Sequence, residues 1–199
     1  MLTPTQQRTK RVFDVLLSAV GLILTWPIVF VAWIVASIET GSNGMFVQTR
    51  IGRLGKPFGV LKIKTMRPVV GIETSVTTQN DRRITRSGAL FRRTKIDELP
   101  QLWNVLFGQM SFVGPRPDVP GFADRLAGED RVILTLRPGI TGPASLKYKD
   151  EEALLAAQED PEAYNHEVIW PDKVAINRVY IENWSLKKDI MCIIKTVTG

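Results

Sequence analysis

Two adjacent carboxylates among several cations form the stretch with the strongest chemical character in this chain. Asp97 and Glu98 follow Arg92 and Lys95, and Arg116 comes shortly after them between two prolines. Holding these charged groups close together costs free energy unless an anion or a metal ion binds among them. The prolines stiffen the backbone around Arg116, which suits a forked contact of its guanidinium with phosphate oxygens. The pattern therefore predicts a site that handles phosphate groups.

The position of Pro100 predicts that a helix starts near Asp97, because proline lacks an amide hydrogen and is tolerated in a first helical turn. Thr94 or Asp97 is then the expected N-terminal cap, and Gly108 the expected C-terminal stop. A nucleophilic carboxylate at the positive end of a helix would meet a phosphoryl group attracted to the same place. The alternative is an ordinary acidic cap with basic neighbours on a solvated surface.

Composition limits the classes of protein and of site. A chain of 199 residues allows one domain with a core and an appended element. The net charge of +6 indicates an anionic partner, which could be nucleic acid, a membrane surface or a phosphorylated substrate. Cys192 is the only cysteine and His166 the only histidine. This excludes a disulfide framework, a Cys/His zinc site and a cysteine nucleophile with several candidate histidines.

An uncharged apolar segment near the N-terminus predicts membrane association. Residues 15–38 contain no charged side chain, and at helical rise they would extend about 36 Å, enough for a bilayer core. A cleaved signal peptide is the rival interpretation. The run is long for such a peptide, however, and shows no small-residue cleavage site before Glu39.

Trp26 and Pro27 lie in the middle of this segment, where proline predicts a break or kink. Basic residues flank the segment on both sides, whereas a crossing helix normally has asymmetric flanks. We therefore expect a re-entrant hairpin over residues 1–40, with both flanks cytoplasmic, and a catalytic domain over residues 41–199. A simple span is the alternative. The flanking basic residues are Arg8, Lys10, Arg11, Arg50, Arg53, Lys56, Lys62 and Lys64.

The segments that follow predict a short β-hairpin and a basic helix. Residues 45–50 and 58–66 read as two strands, with Lys62 and Lys64 on one face, toward either phosphate or water. Residues 68–81 read as a loop. Residues 81–93 predict an amphipathic helix that lies against anionic headgroups. Nucleic-acid binding is the competing use of such a run, but one aromatic residue and the lack of a nucleic-acid motif argue against it.

In the C-terminal half, residues 118–136 predict a helix interrupted at Gly128. The Gly- and Pro-rich residues 137–143 predict a tight loop whose amides could cradle a nucleotide phosphate. Asp172 and Ser185 read as caps of two further helices. We expect the last of these to pack its Ile and Met residues on the core and to turn its lysines toward lipid headgroups.

Together these motifs resemble the small monotopic phosphoglycosyl transferases of the bacterial sugar transferase family, nearly from end to end. That resemblance implies an α+β, mainly helical fold: a proline-broken re-entrant membrane hairpin followed by a compact cytoplasmic domain with a short β-hairpin and amphipathic interfacial helices. The matching segments are residues 10–14, the apolar segment, residues 58–66 with Lys-x-Lys-Thr-Met, residues 90–113 around Asp-Glu-Leu-Pro-Gln-Leu, Gly-Pro-Arg-Pro from Gly114, and Arg-Pro-Gly-Ile-Thr-Gly from Arg137.

The resemblance also implies a two-step phosphoryl transfer at the cytoplasmic face of a bacterial inner membrane. Asp97 would attack the β-phosphate of a UDP-sugar, release UMP and hold the phospho-sugar until undecaprenyl phosphate accepts it. Glu98, alone or with Asp97, would bind Mg²⁺ and assist proton handling. The positions that match phosphate-binding or supporting residues of the family are Lys62, Arg92, Arg116 and Arg137.

Two departures from the family pattern limit what it implies. Trp26-Pro27 stands where some members have Ser-Pro, which removes a hydroxyl at the break. Residues 143–150 differ from the segment seen in many relatives, so the sugar cannot be carried over, and a homo-oligomer is left open. Two other functions remain as alternatives: a basic membrane anchor without enzymatic activity, and a UDP-sugar hydrolase that uses the same covalent route.

Overall fold

The computed structural model describes residues 1–67 and 81–199. The loop predicted over residues 68–81 therefore lies outside the described residues, apart from Asp81. The described chain is mainly helical with two small two-stranded sheets, which confirms the predicted class in its coarse form. Its helices and strands are α1 Pro4–Thr40, β1 Met45–Ile51, β2 Pro57–Ile63, α2 Arg86–Thr94, α3 Gln101–Leu106, β3 Ser111–Val113, β4 Gly139–Thr141, α4 Pro143–Lys147, α5 Glu151–Ala156, α6 Pro161–Tyr164, α7 Trp170–Glu182 and α8 Leu186–Thr198.

Helix α1 is long and apolar enough to cross a membrane by its length and composition. Only 17% of its most apolar window is buried inside the protein, and side chains such as Ile23, Leu24 and Trp26 are exposed. A core helix of a soluble protein would bury such residues, so the exposed apolar surface supports membrane association.

The helical assignment of α1 continues through Pro27. The hydroxyl of Thr25 donates a 2.7 Å hydrogen bond to the carbonyl oxygen of Gly21, in the turn before the proline. Back-bonding of this kind bends helices, and it supplies a hydroxyl close to the position where Trp26 lacks one. The re-entrant hairpin itself stays a prediction.

The chain divides into two compact units. The first contains residues 1–16, 49–58 and 105–199, and the second contains residues 17–48 and 59–104. These units do not coincide with the predicted membrane segment 1–40 and catalytic domain 41–199. The two predicted domains therefore stay predictions.

The second unit has a small apolar core built from α1, β2 and α2, with Ala32, Ala36, Ile63 and Phe91 as its buried members. Strands β1 and β2 form the two-stranded sheet that the sequence predicts, and residues 45–48 and 59–63 of these strands belong to this unit. Asn104 of α3 is buried and ties this helix to β2: its amide donates to the carbonyl oxygen of Gly59 at 2.7 Å, and its oxygen accepts from the backbone amide of Leu61 at 3.0 Å.

The first unit has a larger apolar core to which the 3₁₀ segment Gly128–Thr135, α7 and α8 contribute. The first turns of α1 are anchored beside it by a buried ion pair. The ammonium of Lys10 lies 2.5 Å from the carboxylate of Asp189 on α8, and that carboxylate also accepts hydrogen bonds from Tyr180 and Trp184. Charged groups buried in this way must be paired to be tolerated.

The prediction of a tight loop over residues 137–143 is wrong, because part of this segment is strand β4. It pairs in parallel with β3, with Ser111 opposite Gly139 and Val113 opposite Thr141. The amide of Gly139 donates to the carbonyl oxygen of Pro115 at 2.8 Å and is therefore not available to cradle a phosphate. A Cβ atom at Gly139 would collide with the backbone of Gly114, so this close approach requires glycine.

One predicted helix and one predicted helix cap in this unit are also wrong. Residues 118–136 form the short 3₁₀ segments Ala123–Arg125 and Gly128–Thr135 in place of an interrupted α-helix. Asp172 is not a cap, because α6 continues through a π-helical turn into α7 and leaves no free helix start there. Its carboxylate instead accepts hydrogen bonds from Lys147 and Tyr148.

Ser185 caps α8 as predicted, accepting from the amide of Lys188. The expected packing of this helix is only partly correct. Asp189, Cys192 and Ile193 face the core, because the buried ion pair occupies this side of the helix. The apolar residues on its other side are exposed, namely Ile190, Met191, Ile194 and Val197.

Candidate active site

The two carboxylates lie on the 3₁₀ turn Ile96–Glu98, between α2 and α3. The predicted start of a helix at Asp97 is therefore wrong, since α3 begins at Gln101. Thr94 is not a cap either: it belongs to α2, and its hydroxyl donates to the carbonyl oxygen of Leu90 at 2.8 Å. Gly108, with a φ of 82°, follows the end of α3 as predicted.

The backbone of Lys95 makes the turn that delivers the carboxylates. Its φ of 58° is in the left-handed region, which side-chain-bearing residues rarely adopt. Its amide donates to the carbonyl oxygen of Arg92 and closes α2, while its own carbonyl oxygen accepts from the amide of Glu98 and opens the 3₁₀ turn. Strained backbone of this kind is common at functional sites.

Asp97 is buried, with 8% of its surface exposed. The pKa of its carboxyl is raised to about 6, mainly by burial, and the charge of the neighbouring Glu98 adds to this rise. The charges of Lys62, Lys95 and Arg92 act in the opposite direction. Asp97 Oδ1 is buried and accepts no hydrogen bond from any residue that the structure describes. Near neutral pH this carboxylate is therefore ionised, poorly solvated and strongly basic for an aspartate.

Glu98 pairs with Lys62, which reaches it from β2. The ammonium of Lys62 lies 3.3 Å from Glu98 Oε1, and both side chains are largely shielded from solvent. Lys62, for which the sequence left either phosphate or water as the neighbour, thus contacts a carboxylate. Lys64 follows the end of β2, and its ammonium contacts the hydroxyl of Ser42 at 2.8 Å.

Arg92 completes the cluster from the last turn of α2. Its Nε donates to Thr65 Oγ1 at 2.9 Å, and its Nη2 contacts Met66 Sδ at 3.1 Å. Its charge is one of those that lower the pKa of Asp97. Four of the predicted site residues therefore form one cluster of charged side chains in the second unit, namely Lys62, Arg92, Asp97 and Glu98.

Arg116 and Arg137 belong to the first unit. Arg116 is exposed and borders a small cavity together with Asp118. Arg137 Nε donates to the carbonyl oxygen of Gly108 at 2.7 Å, and burial lowers the pKa of its guanidinium. The described contact of Arg137 thus stabilises the turn after α3, and its role toward phosphate stays a prediction.

Sequence reasoning missed three residues beside the predicted ones. Thr65 holds Arg92, and Arg11 donates to the carbonyl oxygens of Val105 and Leu106 at 2.6 and 2.7 Å. Burial raises the pKa of Asp118 to about 6, although nearby cations oppose this. Asp118 directly follows Gly-Pro-Arg-Pro, so its place beside Arg116 could have been read from the sequence.

The donor set of the cluster fits a magnesium ion that is shared with a substrate. The described residues contain no group of three or more His, Cys, Asp or Glu side chains suited to a metal. Magnesium usually takes only one or two protein carboxylates and completes its shell with water and phosphate oxygens. Asp97, whose buried Oδ1 accepts no hydrogen bond from a described residue, and Glu98 beside it provide such a pair.

Comparison with known proteins identifies the family of this chain. The model of the family described as bacterial sugar transferase matches residues 5–199. The chain is 35% identical to a UDP-glucose:undecaprenyl-phosphate glucose-1-phosphate transferase of Caulobacter vibrioides, over 94% of this chain and 68% of that protein. It is 34% identical to a protein of the same name from Klebsiella pneumoniae, over 94% of this chain but only 39% of the longer relative.

A third relative is the exopolysaccharide production protein ExoY of Rhizobium meliloti, 31% identical over 98% of this chain and 86% of that protein. These similarities place the protein in a class of enzymes, the phosphoglycosyl transferases. The chain belongs to the bacterial sugar transferase family. The resemblance noted in the sequence is thereby confirmed.

The raised pKa of Asp97 predicts that this residue destabilises the folded protein at neutral pH. The penalty is absent below the ordinary carboxyl pKa of 3.8, grows as the pH rises from there to about 6, and is complete above that pH. We expect Asp97→Asn to increase the free energy of unfolding at pH 8 by on the order of 1 to 3 kcal/mol, with the gain disappearing near pH 4. Thermal unfolding in detergent at both pH values would measure it.

The matched control for this stability prediction is Asp124→Asn. Asp124 is exposed, and its side-chain oxygen accepts from the amide of Gly121, a contact that asparagine can keep. Because this side chain is exposed, we expect Asp124→Asn to change the free energy of unfolding little. If Asp97→Asn were only as stable as wild type at pH 8, the Asp97 carboxylate would not be desolvated in the folded protein.

Proposed function

We propose that this enzyme transfers a phospho-sugar from a UDP-sugar to undecaprenyl phosphate. Asp97 attacks the β-phosphorus of the UDP-sugar, a P–O bond to the α-phosphate breaks, and UMP leaves. An oxygen of the polyprenyl phosphate then attacks the same phosphorus, which frees the Asp97 carboxylate and forms a polyprenyl-diphosphate sugar. The substrates are those in the names of the relatives from Caulobacter and Klebsiella.

The observation that carries this proposal is the state of Asp97. Its Oδ1 is buried and receives no hydrogen bond within the described chain, while cations from three neighbouring segments surround the carboxylate. A purely structural carboxylate would normally be satisfied by donors or lie in water. An ionised, weakly solvated carboxylate among cations is suited to attack a phosphoryl group.

Positive side chains counteract the repulsion between this carboxylate and the substrate's phosphates. Lys62, Lys95 and Arg92 lie near Asp97 and lower its pKa, so their fields also stabilise negative charge that develops on the phosphoryl oxygens. We assign Arg116 and Arg137 to phosphate binding, as the family pattern implies. Preorganised charges act most strongly where water is excluded, as it is around buried Asp97.

Glu98 is the residue that we assign to Mg²⁺, alone or with Asp97. A bound magnesium ion would neutralise phosphate charge and favour departure of UMP. In the described arrangement, Lys62 holds Glu98 at 3.3 Å and fixes its orientation. Lys62 thus keeps the second carboxylate in place and adds a positive charge to the site.

The membrane arrangement is part of the proposal. A polyprenyl phosphate keeps its head group at the membrane interface, so the active site must lie at that depth. A re-entrant α1 that enters and leaves on the cytoplasmic face would anchor the enzyme there, consistent with the basic residues on both sides of its apolar segment. Contact with anionic membrane lipids would account for the net positive charge, so that no nucleic-acid partner is needed.

UMP release from a panel of UDP-sugars tests this function directly. Detergent-solubilised protein with Mg²⁺ is assayed with and without undecaprenyl phosphate, and the lipid product is analysed by mass spectrometry. We expect one or a few sugars to give UMP and a matching polyprenyl-diphosphate sugar only when the lipid is present. Sustained release without lipid would indicate a hydrolase. Lack of turnover with every sugar would favour the non-enzymatic anchor.

A further inference from the structure

Thr65 lies where the end of β2 meets α2, and it contacts α2 at both ends. Its carbonyl oxygen accepts from the amide of Thr85, whose hydroxyl caps α2 by accepting from Gly88. A Cβ atom at Gly88 would collide with the same carbonyl oxygen, so glycine allows the close approach. Thr65 therefore fixes the start of α2 through its backbone.

The side chain of Thr65 holds the other end of α2. Its Oγ1 accepts the 2.9 Å hydrogen bond from Arg92 Nε, and only 7% of the residue is exposed. A hydrogen bond between a charged donor and a shielded acceptor is stronger than a neutral one. Because Nε is joined rigidly to the planar guanidinium, this single contact sets the plane in which the terminal nitrogens lie.

The guanidinium retains donors for a ligand. An arginine offers five N–H groups, and its contacts with Thr65 and Met66 use Nε and one hydrogen of Nη2. Within the part of the chain that the structure describes, the other terminal N–H groups of Arg92 donate no hydrogen bond, so a phosphate oxygen beside Asp97 could accept from them.

We propose that Thr65 is a positioning residue, which orients the Arg92 guanidinium toward the phosphate that reacts with Asp97. This inference rests on the proposed function, because the role of Arg92 toward phosphate is part of it. Thr65 itself does not touch the substrate. Its hydroxyl acts through Arg92, and its effect must therefore disappear when Arg92 cannot make the contact.

Kinetics of four variants test this dependence. We expect Thr65→Val to lower kcat/KM for the UDP-sugar by about 10- to 100-fold, the usual effect of losing a residue that orients a functional side chain. Thr65→Ser keeps the hydroxyl and should stay within about threefold of wild type, since only a methyl group is lost. In an Arg92→Lys background, which has no Nε donor, Thr65→Val should cause little further loss.

The matched control is Thr94→Val. Thr94 is on the same helix, but among the described residues its hydroxyl donates to the backbone of its own helix, so we expect nearly unchanged kinetics. Equal losses for Thr65→Val in the wild-type and Arg92→Lys backgrounds would overturn the proposal, as would full activity of Thr65→Val. If that variant does not fold, Thr65→Ala takes its place in the same comparison.

A spectroscopic measurement separates this inference from the proposed function. The Arg92 Nε–H signal is identified in the ¹⁵N-labelled protein by its loss in Arg92→Lys. Its exchange with solvent should be slow in wild type and Thr65→Ser, and at least about tenfold faster in Thr65→Val, as expected for loss of a charged hydrogen bond. This pattern without transferase activity would reject the function but keep the contact, whereas an unchanged exchange rate would reject the contact.

Discussion

Asp97→Asn is expected to abolish transfer, with UMP release reduced by at least about 1000-fold because the nucleophile is lost. Asparagine has nearly the same shape and carries no negative charge, so it cannot form the acyl phosphate. The fold should remain intact, since the structure gives Asp97 Oδ1 no hydrogen bond from a described residue that asparagine would break. The measurement is UMP release with the sugar that wild type prefers, in the presence of undecaprenyl phosphate.

The covalent intermediate gives the same prediction a second readout. Wild type is incubated with a UDP-sugar labelled at the β-phosphorus, without lipid acceptor, and the protein is then separated from small molecules. Label should remain on wild type and on the control Asp124→Asn, be released by hydroxylamine, and be absent from Asp97→Asn. Label on the Asp97 variant, or activity that survives the substitution, would move the nucleophile to another residue.

Lys10→Met is expected to produce the largest loss of stability. Lys10 and Asp189 are 2.5 Å apart, and their side chains are only 6% and 1% exposed. Removal of the ammonium leaves the Asp189 carboxylate buried without its cation, which typically costs about 3 to 5 kcal/mol. Chemical unfolding in detergent would measure the change, and Trp184 fluorescence would report on it locally, because the indole donates to the same carboxylate at 3.1 Å.

Two further variants make the Lys10 prediction specific. The double variant Lys10→Met with Asp189→Asn should recover much of the lost stability, because the buried charge is then removed together with its partner. Lys147→Met removes a lysine from an exposed ion pair with Asp172 and should change stability little. If Lys10→Met were no more destabilising than Lys147→Met, the buried pair would not be what anchors the start of α1.

Local signals predicted many elements correctly because their causes lie within a few residues. The apolar segment of α1, the two strands around Gly52, the cap at Ser185 and the stop at Gly108 all depend on short-range preferences. Misassigned segments are those in which distant parts of the chain compete with local preference. Residues 139–141 became a strand because the backbone of residues 111–113 pairs with them.

The candidate site shows the same division. The sequence by itself determined which residues could do the chemistry, namely the Asp97–Glu98 pair with lysines and arginines at recognisable spacings. Only the tertiary structure decided how they are arranged. Lys62 meets Glu98 across 36 residues of chain, and Arg92 meets Thr65 across 27.

Burial was also decided by the tertiary structure. The left-handed backbone of Lys95 turns the chain so that Asp97 is removed from water, and this burial raises the pKa of its carboxyl to about 6. No local pattern predicts this, because desolvation depends on the atoms that all neighbouring segments bring to one place. Residue types are a property of the sequence, whereas solvation and orientation, which make a carboxylate reactive, arise only when the chain folds.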